Sequence, residues 1–215
     1  MKFKLKNEWI PLLMILILIV AGFYFYSVFP DQVPIHWNAE GVVDNYGSKF
    51  IGAFLAPLMA IGVYLLFIAL PLIDPKKDRY KEFSKTYYLF KNLIIGCLVY
   101  IFFVSSLNAT GVNIPVEFAI PVGVGVLFII LGNYMGKIKP NWFMGIRTPW
   151  TLSSEEVWNK THRFGGKMFV IGGLVIASLG FWPVYLRMPV LMVVVLAVVV
   201  LTVLYSYIIF RNKKD

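Results

Sequence analysis

Trp9-Ile-Pro-Leu-Leu-Met-Ile-Leu-Ile-Leu-Ile-Val-Ala-Gly-Phe-Tyr-Phe-Tyr-Ser-Val-Phe29 contains no Asp, Glu, Lys, Arg or His. An α-helix rises about 1.5 Å per residue, so about 20 apolar residues cross the ~30 Å hydrocarbon core of a bilayer. This run has the length of a membrane helix. It is too long for the apolar region of a signal peptide, and Phe23-Tyr-Phe-Tyr26 stands where a small-residue cleavage site is needed. The expectation is a retained anchor.

The same reading repeats along the chain. Phe50–Ile73, Asn92–Val116, Phe118–Gly136, Met168–Leu186 and Met188–Phe210 are also free of ionisable side chains. Asn92–Val116 holds a span followed by a polar turn at Asn108–Asn113. Only helices and closed barrels satisfy the backbone inside a bilayer, and these runs lack the alternation of barrel strands. The sequence therefore predicts an all-α polytopic membrane protein, one domain over 1–215. Its six transmembrane helices lie at about 9–29, 50–73, 87–107, 117–136, 167–184 and 189–210. Lys91, near the start of the third, is expected to snorkel to the interface. The fifth and sixth spans are expected to meet in a tight turn at Arg187 between Pro183 and Pro189.

Composition agrees with this reading. The 215 residues are 59% apolar and 14% charged, whereas soluble domains carry about 25% charged residues. A water-facing globule is excluded. The net charge of +9 reads as topological bias rather than as direct nucleic-acid binding, because of where the cations fall. Lys2, Lys4, Lys6, the Lys76–Lys91 group, the Lys137–Lys167 group, Arg211, Lys213 and Lys214 all lie on one side. Of the 20 Lys and Arg, only Lys49 and Arg187 lie on the other. The positive-inside rule then places both termini in the cytoplasm, with an outer loop at 30–49 and an inner loop at 137–166. Cys97 is the one cysteine, so neither an intramolecular disulfide nor a multi-cysteine metal site is available.

Three spans per half would invert the halves relative to each other, a transporter device. The spans, however, lack the intramembrane carboxylate, His or Arg that ion-coupled transport generally uses. Asn92, Ser105, Ser106, Asn133, Ser178, Thr202, Ser206 and several tyrosines read as interhelical hydrogen-bond partners. Gly132 and Gly136, with Gly166, Gly173, Ala177 and Gly180, read as close helix contacts, within the bundle or between copies.

Two loops are longer than helix packing needs, and chemistry is expected there. In the outer loop, Asn38-Ala-Glu-Gly41 is a turn tetrad that closes a small hairpin. Asp31, His36, Glu40 and Asp44 are metal-capable, but a catalytic zinc normally takes three protein ligands with His prominent. The expectation is a polar cap with no metal and no cofactor. In the inner loop, Ser153 and Glu156 have capping-box spacing, so a short helix should begin there. Gly165-Gly166 should break or hinge it before span five. Trp158 and His162 would share a face with Glu155 above them, and Arg147 would reach Glu155, Glu156 or a lipid phosphate. Trp142, Phe143, Trp150 and Trp158 suggest a loop folded against the membrane interface. His36 and His162 lie on opposite faces and cannot share a metal or proton relay, and Ser153 and Ser154 look like caps rather than nucleophiles.

Two segments carry a family resemblance. Pro30–Lys49 resembles the P-x-H-[FW]-N-x-x-G-x-x-D signature of a prokaryotic integral-membrane domain of uncharacterised chemistry. Gly132-Asn-Tyr-Met-Gly136, Asn141-Trp-Phe-Met-Gly-Ile-Arg-Thr-Pro-Trp-Thr-Leu152 and Trp158-Asn-Lys-Thr-His-Arg-Phe-Gly-Gly166 are similar to the SdpI-type immunity proteins. The resemblance implies a multi-pass cell-membrane protein that protects against a secreted killing-factor peptide. It also implies signalling, with a cytoplasmic repressor held at the membrane. On this reading Asp31, His36, Trp37, Asn38 and Asp44 form the outer recognition surface. Arg147, Trp150, Glu155, Trp158 and His162 form the inner element that changes state, and no residue is catalytic. The alternatives are a transporter or lipid-handling protein, and a membrane enzyme using His36 with Asp31 or Asp44, or His162 with Glu155.

Overall fold

The computed structural model describes residues 7–213; Lys2, Lys4, Lys6 and Lys214, counted in the charge asymmetry, lie outside them. Six helices are long and apolar enough to cross a membrane. These are α1 (Trp9–Val28), α2 (Lys49–Ile73), α3 (Ser84–Ala109), α4 (Val116–Met135), α6 (Glu155–Ser178) and α7 (Val184–Arg211). A hairpin of β1 (Gln32–Trp37) and β2 (Val43–Ser48) joins α1 to α2, and the short α5 (Pro149–Ser153) precedes α6. The protein is a multi-pass membrane bundle.

Several helix limits differ from the sequence reading. Helix α6 begins at Glu155 and runs unbroken through Gly165-Gly166. The expected hinge is absent because both glycines are buried, Gly166 under α4 and Gly165 against Ile146 and Met135, where a side chain would collide. The expected Ser153/Glu156 capping box is replaced by two caps. Thr148 caps α5 in a reciprocal box with Thr151, with Pro149 in the first turn, and Ser154 caps α6 through the Val157 N–H. Because α5 absorbs Ser153 into its last turn, only Ser154 is free to adopt the extended backbone of a cap. The α6–α7 turn lies at Trp182-Pro183, so Arg187 sits inside α7. Pro189 is tolerated in that helix, as are Pro57, Pro71 and Pro121 in theirs.

Helices α1, α2 and α3 pack on one another, α6 packs against α4 and α7, and α3 against α4 joins the two halves. The α4–α6 contact is the closest. A Cβ on Gly166 would stand 2.5 Å from the Gly132 carbonyl, and one on Gly125 would stand 2.5 Å from the Gly173 carbonyl. The small-residue stripe thus serves packing within the bundle.

The polar side chains in the spans mostly serve their own helix rather than a neighbour. Asn133 donates to the Ile129 carbonyl, Ser178 to Val175, and Thr202 to Val198. A carbonyl three or four residues back lies within reach of a short side chain, and in the apolar interior nothing competes for it. Ser206 also reaches another element, meeting the Thr148 hydroxyl at 3.0 Å, and the tyrosines bond between helices, Tyr87 donating to the Phe67 carbonyl at 2.6 Å and Tyr100 to the Ala119 carbonyl at 2.8 Å.

Lys91 does not snorkel. It is 2% exposed and ion-paired with Glu8, itself 3% exposed, at the start of α1. The Tyr64 and Tyr88 rings flank its ammonium. Both groups are out of water, and each offsets the other's burial as its ion-pair partner.

Candidate functional site

At one end of the bundle the hairpin folds over the helix ends. Asn38 shapes its turn: the side-chain oxygen accepts the N–H groups of Glu40 and Val42 at 3.1 and 2.9 Å. Gly41 completes it at φ +80°, a left-handed conformation that suits glycine. The missing side chain also leaves room for the Glu117 carboxylate, which a Cβ at 41 would strike. Register shifts between Pro34 and Trp37 bend β1. Val33, 2% exposed, packs over Gly52 of α2 and anchors the strand.

Beneath the hairpin lies an open cavity of about 790 Å³. Its walls come from α2 (Ile51–Met59), α3 (Leu98–Ser106), α4 (Val116–Pro121) and α7 (Arg187–Leu191), and its roof from residues 33–39 and Asp44. The lining is mainly apolar, with few polar groups, as in sites that take apolar ligands. Helices α2 and α7 flank it without packing together as a pair. The cavity therefore lies between the two halves at the hairpin end, where α3 and α4 still join them.

The polar groups at this cavity have different states. His36 Nδ1 meets Asp44 Oδ1 at 2.5 Å, both side chains exposed. Trp37 Nε1 donates to Asn108 Oδ1 at 3.2 Å, tying the hairpin to the end of α3. Arg187 donates to the carbonyls of Ala39 at 2.7 Å, Gly180 at 3.0 Å and Trp182 at 3.1 Å, so its guanidinium is committed to backbone. Glu117 lines the cavity with no hydrogen-bond or ion-pair partner among the described residues. Asp31 points elsewhere and pairs with Lys49 at 3.0 Å. No group of three metal-capable side chains occurs among the described residues.

The opposite, Lys/Arg-rich end is closed. Asp74, 2% exposed, follows α2 and accepts from Lys76 N–H at 2.7 Å, Tyr80 Oη at 2.9 Å and Trp142 N–H at 3.0 Å. Burial and the Asp74 acceptor push the Tyr80 phenol well above its ordinary range, so it stays a donor. Around it, Phe67, Tyr80, Phe83, Tyr87, Met135 and Trp158 pack into one cluster that joins the halves.

Trp158 and His162 are both fully buried and stack with ring centroids 4.1 Å apart. Trp158 Nε1 donates to the Ile138 carbonyl at 2.8 Å. His162 accepts the Ile146 N–H on Nε2 at 3.0 Å, which leaves Nδ1 to donate to the Trp158 carbonyl at 2.8 Å. This pattern uses the neutral ring with its proton on Nδ1. Gly145 passes this ring at φ +106°, where a Cβ would clash with Nε2. These two side chains staple the 137–148 segment to α6 and are not part of an exposed face with Glu155.

Arg147 is exposed and donates to the Trp142 carbonyl at 2.6 Å; it reaches neither Glu155 nor Glu156. Gly145 and the α5 turn direct it back over the loop, and other cations hold the carboxylates. Arg79 takes Glu155 at 2.8 Å, which raises the guanidinium pKa further, and Lys160 and Lys213 take Glu156. Trp150 packs on Tyr207 of α7, centroids 5.1 Å apart.

The structure thus brings His36, Trp37, Asn38 and Asp44 together over the cavity and leaves Asp31 beside it. The sequence places Arg187 in a turn and carries no local pattern that singles out Glu117 or Asp74. Arg187 carried a signal: it is one of two cations on a face otherwise without them.

Over residues 137–206, which contain the stapled loop and α5 to α7, the chain matches the SdpI/YfhL protein family. Residues 13–61, covering α1, the hairpin and half of α2, match a domain of unknown function, DUF1648. A protein of Bacillus subtilis (strain 168), Immunity protein SdpI, is 30% identical over 204 residues, 94% of this chain and 95% of that protein. The chain belongs to the SdpI/YfhL family. The similarity to SdpI thus spans both the hairpin-roofed cavity and the stapled loop. No solved structure matches the chain.

Proposed function

We propose that this protein is a cell-membrane immunity protein that protects against a secreted antimicrobial peptide by holding an apolar part of it beneath the hairpin, without catalysis. The observation that carries this reading is the roofed apolar cavity, about 790 Å³, at the end of the bundle with the fewest cations. By the positive-inside rule that end faces outward and both termini face the cytoplasm. The curated relative's name, an immunity protein, supports the same use. His36, Trp37, Asn38 and Asp44 form the recognition roof. The stapled loop, with Arg147 and Trp150 at its surface, responds on the cytoplasmic side and offers the docking face for a repressor.

The test is survival of a sensitive host expressing the protein, challenged with a panel of secreted peptides. Protection against at least one is expected, reduced by His36→Ala and Asp44→Ala at unchanged membrane abundance. Lack of protection against every peptide at normal abundance overturns the reading. One observation favours a second reading, transport or lipid handling: a cavity opens between the halves at the hairpin end, while at the other end they pack together through the Asp74 and Trp158 contacts. Substrate flux in liposomes would establish it.

A further inference from the structure

The cavity is apolar along its walls, but one of its charged groups has no hydrogen-bond or ion-pair partner among the described residues. Arg187 is occupied by three backbone carbonyls, and Asp44 is paired with His36. Lys49, the other cation of this face, is paired with Asp31. Glu117 is left as a half-buried carboxylate on the cavity wall without a partner among the described residues. Its carboxylate sits against the hairpin turn, where Gly41 leaves the space its oxygens occupy. A half-buried carboxylate beside apolar walls gains from a cation that donates hydrogen bonds to it. A volume of 790 Å³ falls within the range of small-ligand sites, so it admits one end of a peptide rather than a folded domain.

We propose that Glu117 is the anchoring carboxylate of this cavity, and that the segment it takes is an apolar peptide end whose free α-ammonium group sits on Glu117. This deepens the immunity reading and rests on it. The ammonium would occupy the wall near the hairpin turn, and the following apolar side chains would lie along Met59, Phe102, Ile120 and Leu191.

The experiment uses the full chain in phosphatidylcholine nanodiscs and a fluorescently labelled ten-residue peptide rich in Leu, Ile and Phe. Two forms are compared by fluorescence polarisation, one with a free amino terminus and one N-acetylated. The expected result is about tenfold tighter binding of the free-amine form, with Glu117→Gln, nearly identical in shape, removing the preference. Thermal stability of E117Q in the same discs checks its fold, and E117D, which keeps the charge, should retain part of the preference.

Equal binding of both forms to the native protein, a preference that survives in folded E117Q, or binding of neither form overturns the proposal. So does a loss of peptide affinity on adding phosphatidylethanolamine that native protein shows and E117Q does not, since the occupant would then be a lipid headgroup. These failures differ from failure of the immunity reading: cells protected from a secreted peptide equally by native protein and E117Q would reject the anchor alone.

Discussion

Arg187, four residues into α7, donates to the carbonyl of Ala39 at the hairpin turn, 148 residues away in sequence and 2.7 Å away in space. Its other nitrogens hold Gly180 and Trp182, so one guanidinium joins the hairpin to the α6–α7 turn. Trp37 on Asn108 makes the second tie. The roof is therefore fixed to both halves of the bundle, over the cavity between them.

Replacing Arg187 with Lys should loosen the roof. A lysine ammonium lacks the planar fork that reaches three carbonyls in different directions. Amide exchange at residues 38–42 should speed up about tenfold, in line with losing one charge-assisted hydrogen bond, while α2 and α3 keep their protection. Unchanged exchange at the turn would mean that Asn38 and Asn108 hold the hairpin without Arg187.

The orientation can be read with an impermeant maleimide in a Cys97→Ala background. Asn38 and Asn108 are poor label sites, since each makes hydrogen bonds that hold the hairpin. Glu40 and Asn113 are exposed at the same end, and Lys77 and Ser153 at the other. Cysteines at Glu40 and Asn113 should label in intact cells, and those at Lys77 and Ser153 only after lysis. The reverse pattern would invert the roles assigned to the two faces.

What the sequence revealed was local. A charge-free run of membrane length is visible in the chain itself, and so is the Asn38-Ala-Glu-Gly41 turn, where hydrogen bonding and a left-handed glycine are set within four residues. Lys91 with Glu8, Arg79 with Glu155 and Arg187 with Ala39 depend on tertiary placement, which no local pattern encodes. Lys91 read as a cation at a span edge because its carboxylate lies 83 residues upstream. The cap slipped from Ser153 to Ser154 because Thr148-Pro149 starts another helix first. The cavity had no sequence signature, since its apolar walls resemble the lipid-facing residues of any span.

The Lys91–Glu8 pair gives a double-variant test. Removing one partner leaves a buried charge unpaired, so Lys91→Met or Glu8→Gln alone should cost about 3–5 kcal/mol. The double variant should recover a large part, because a neutral pair needs no solvation in an apolar bundle. Thermal unfolding in detergent or nanodiscs measures all four proteins. Additive losses would show that the two side chains act independently.

The surface of the basic face and the side chains under it should respond differently to substitution. Arg147 is exposed, and Trp150 is partly exposed against Tyr207, so both are available to a partner on the face proposed as cytoplasmic. Trp158 and His162 are fully buried and hold the 137–148 segment to α6. Arg147→Ala and Trp150→Ala should therefore weaken peptide-dependent recruitment of a cytoplasmic protein while abundance and protection persist, because the cavity lies at the other end. Trp158→Ala should act differently. It removes a filled core position, with a typical cost of about 3–5 kcal/mol, and lowers abundance, taking recruitment and protection down together. Survival, membrane abundance and co-purification with and without peptide are measured on the same variants. Loss of protection by Arg147→Ala at full abundance would show that the two ends act as one unit, and that the loop changes state as the cavity fills.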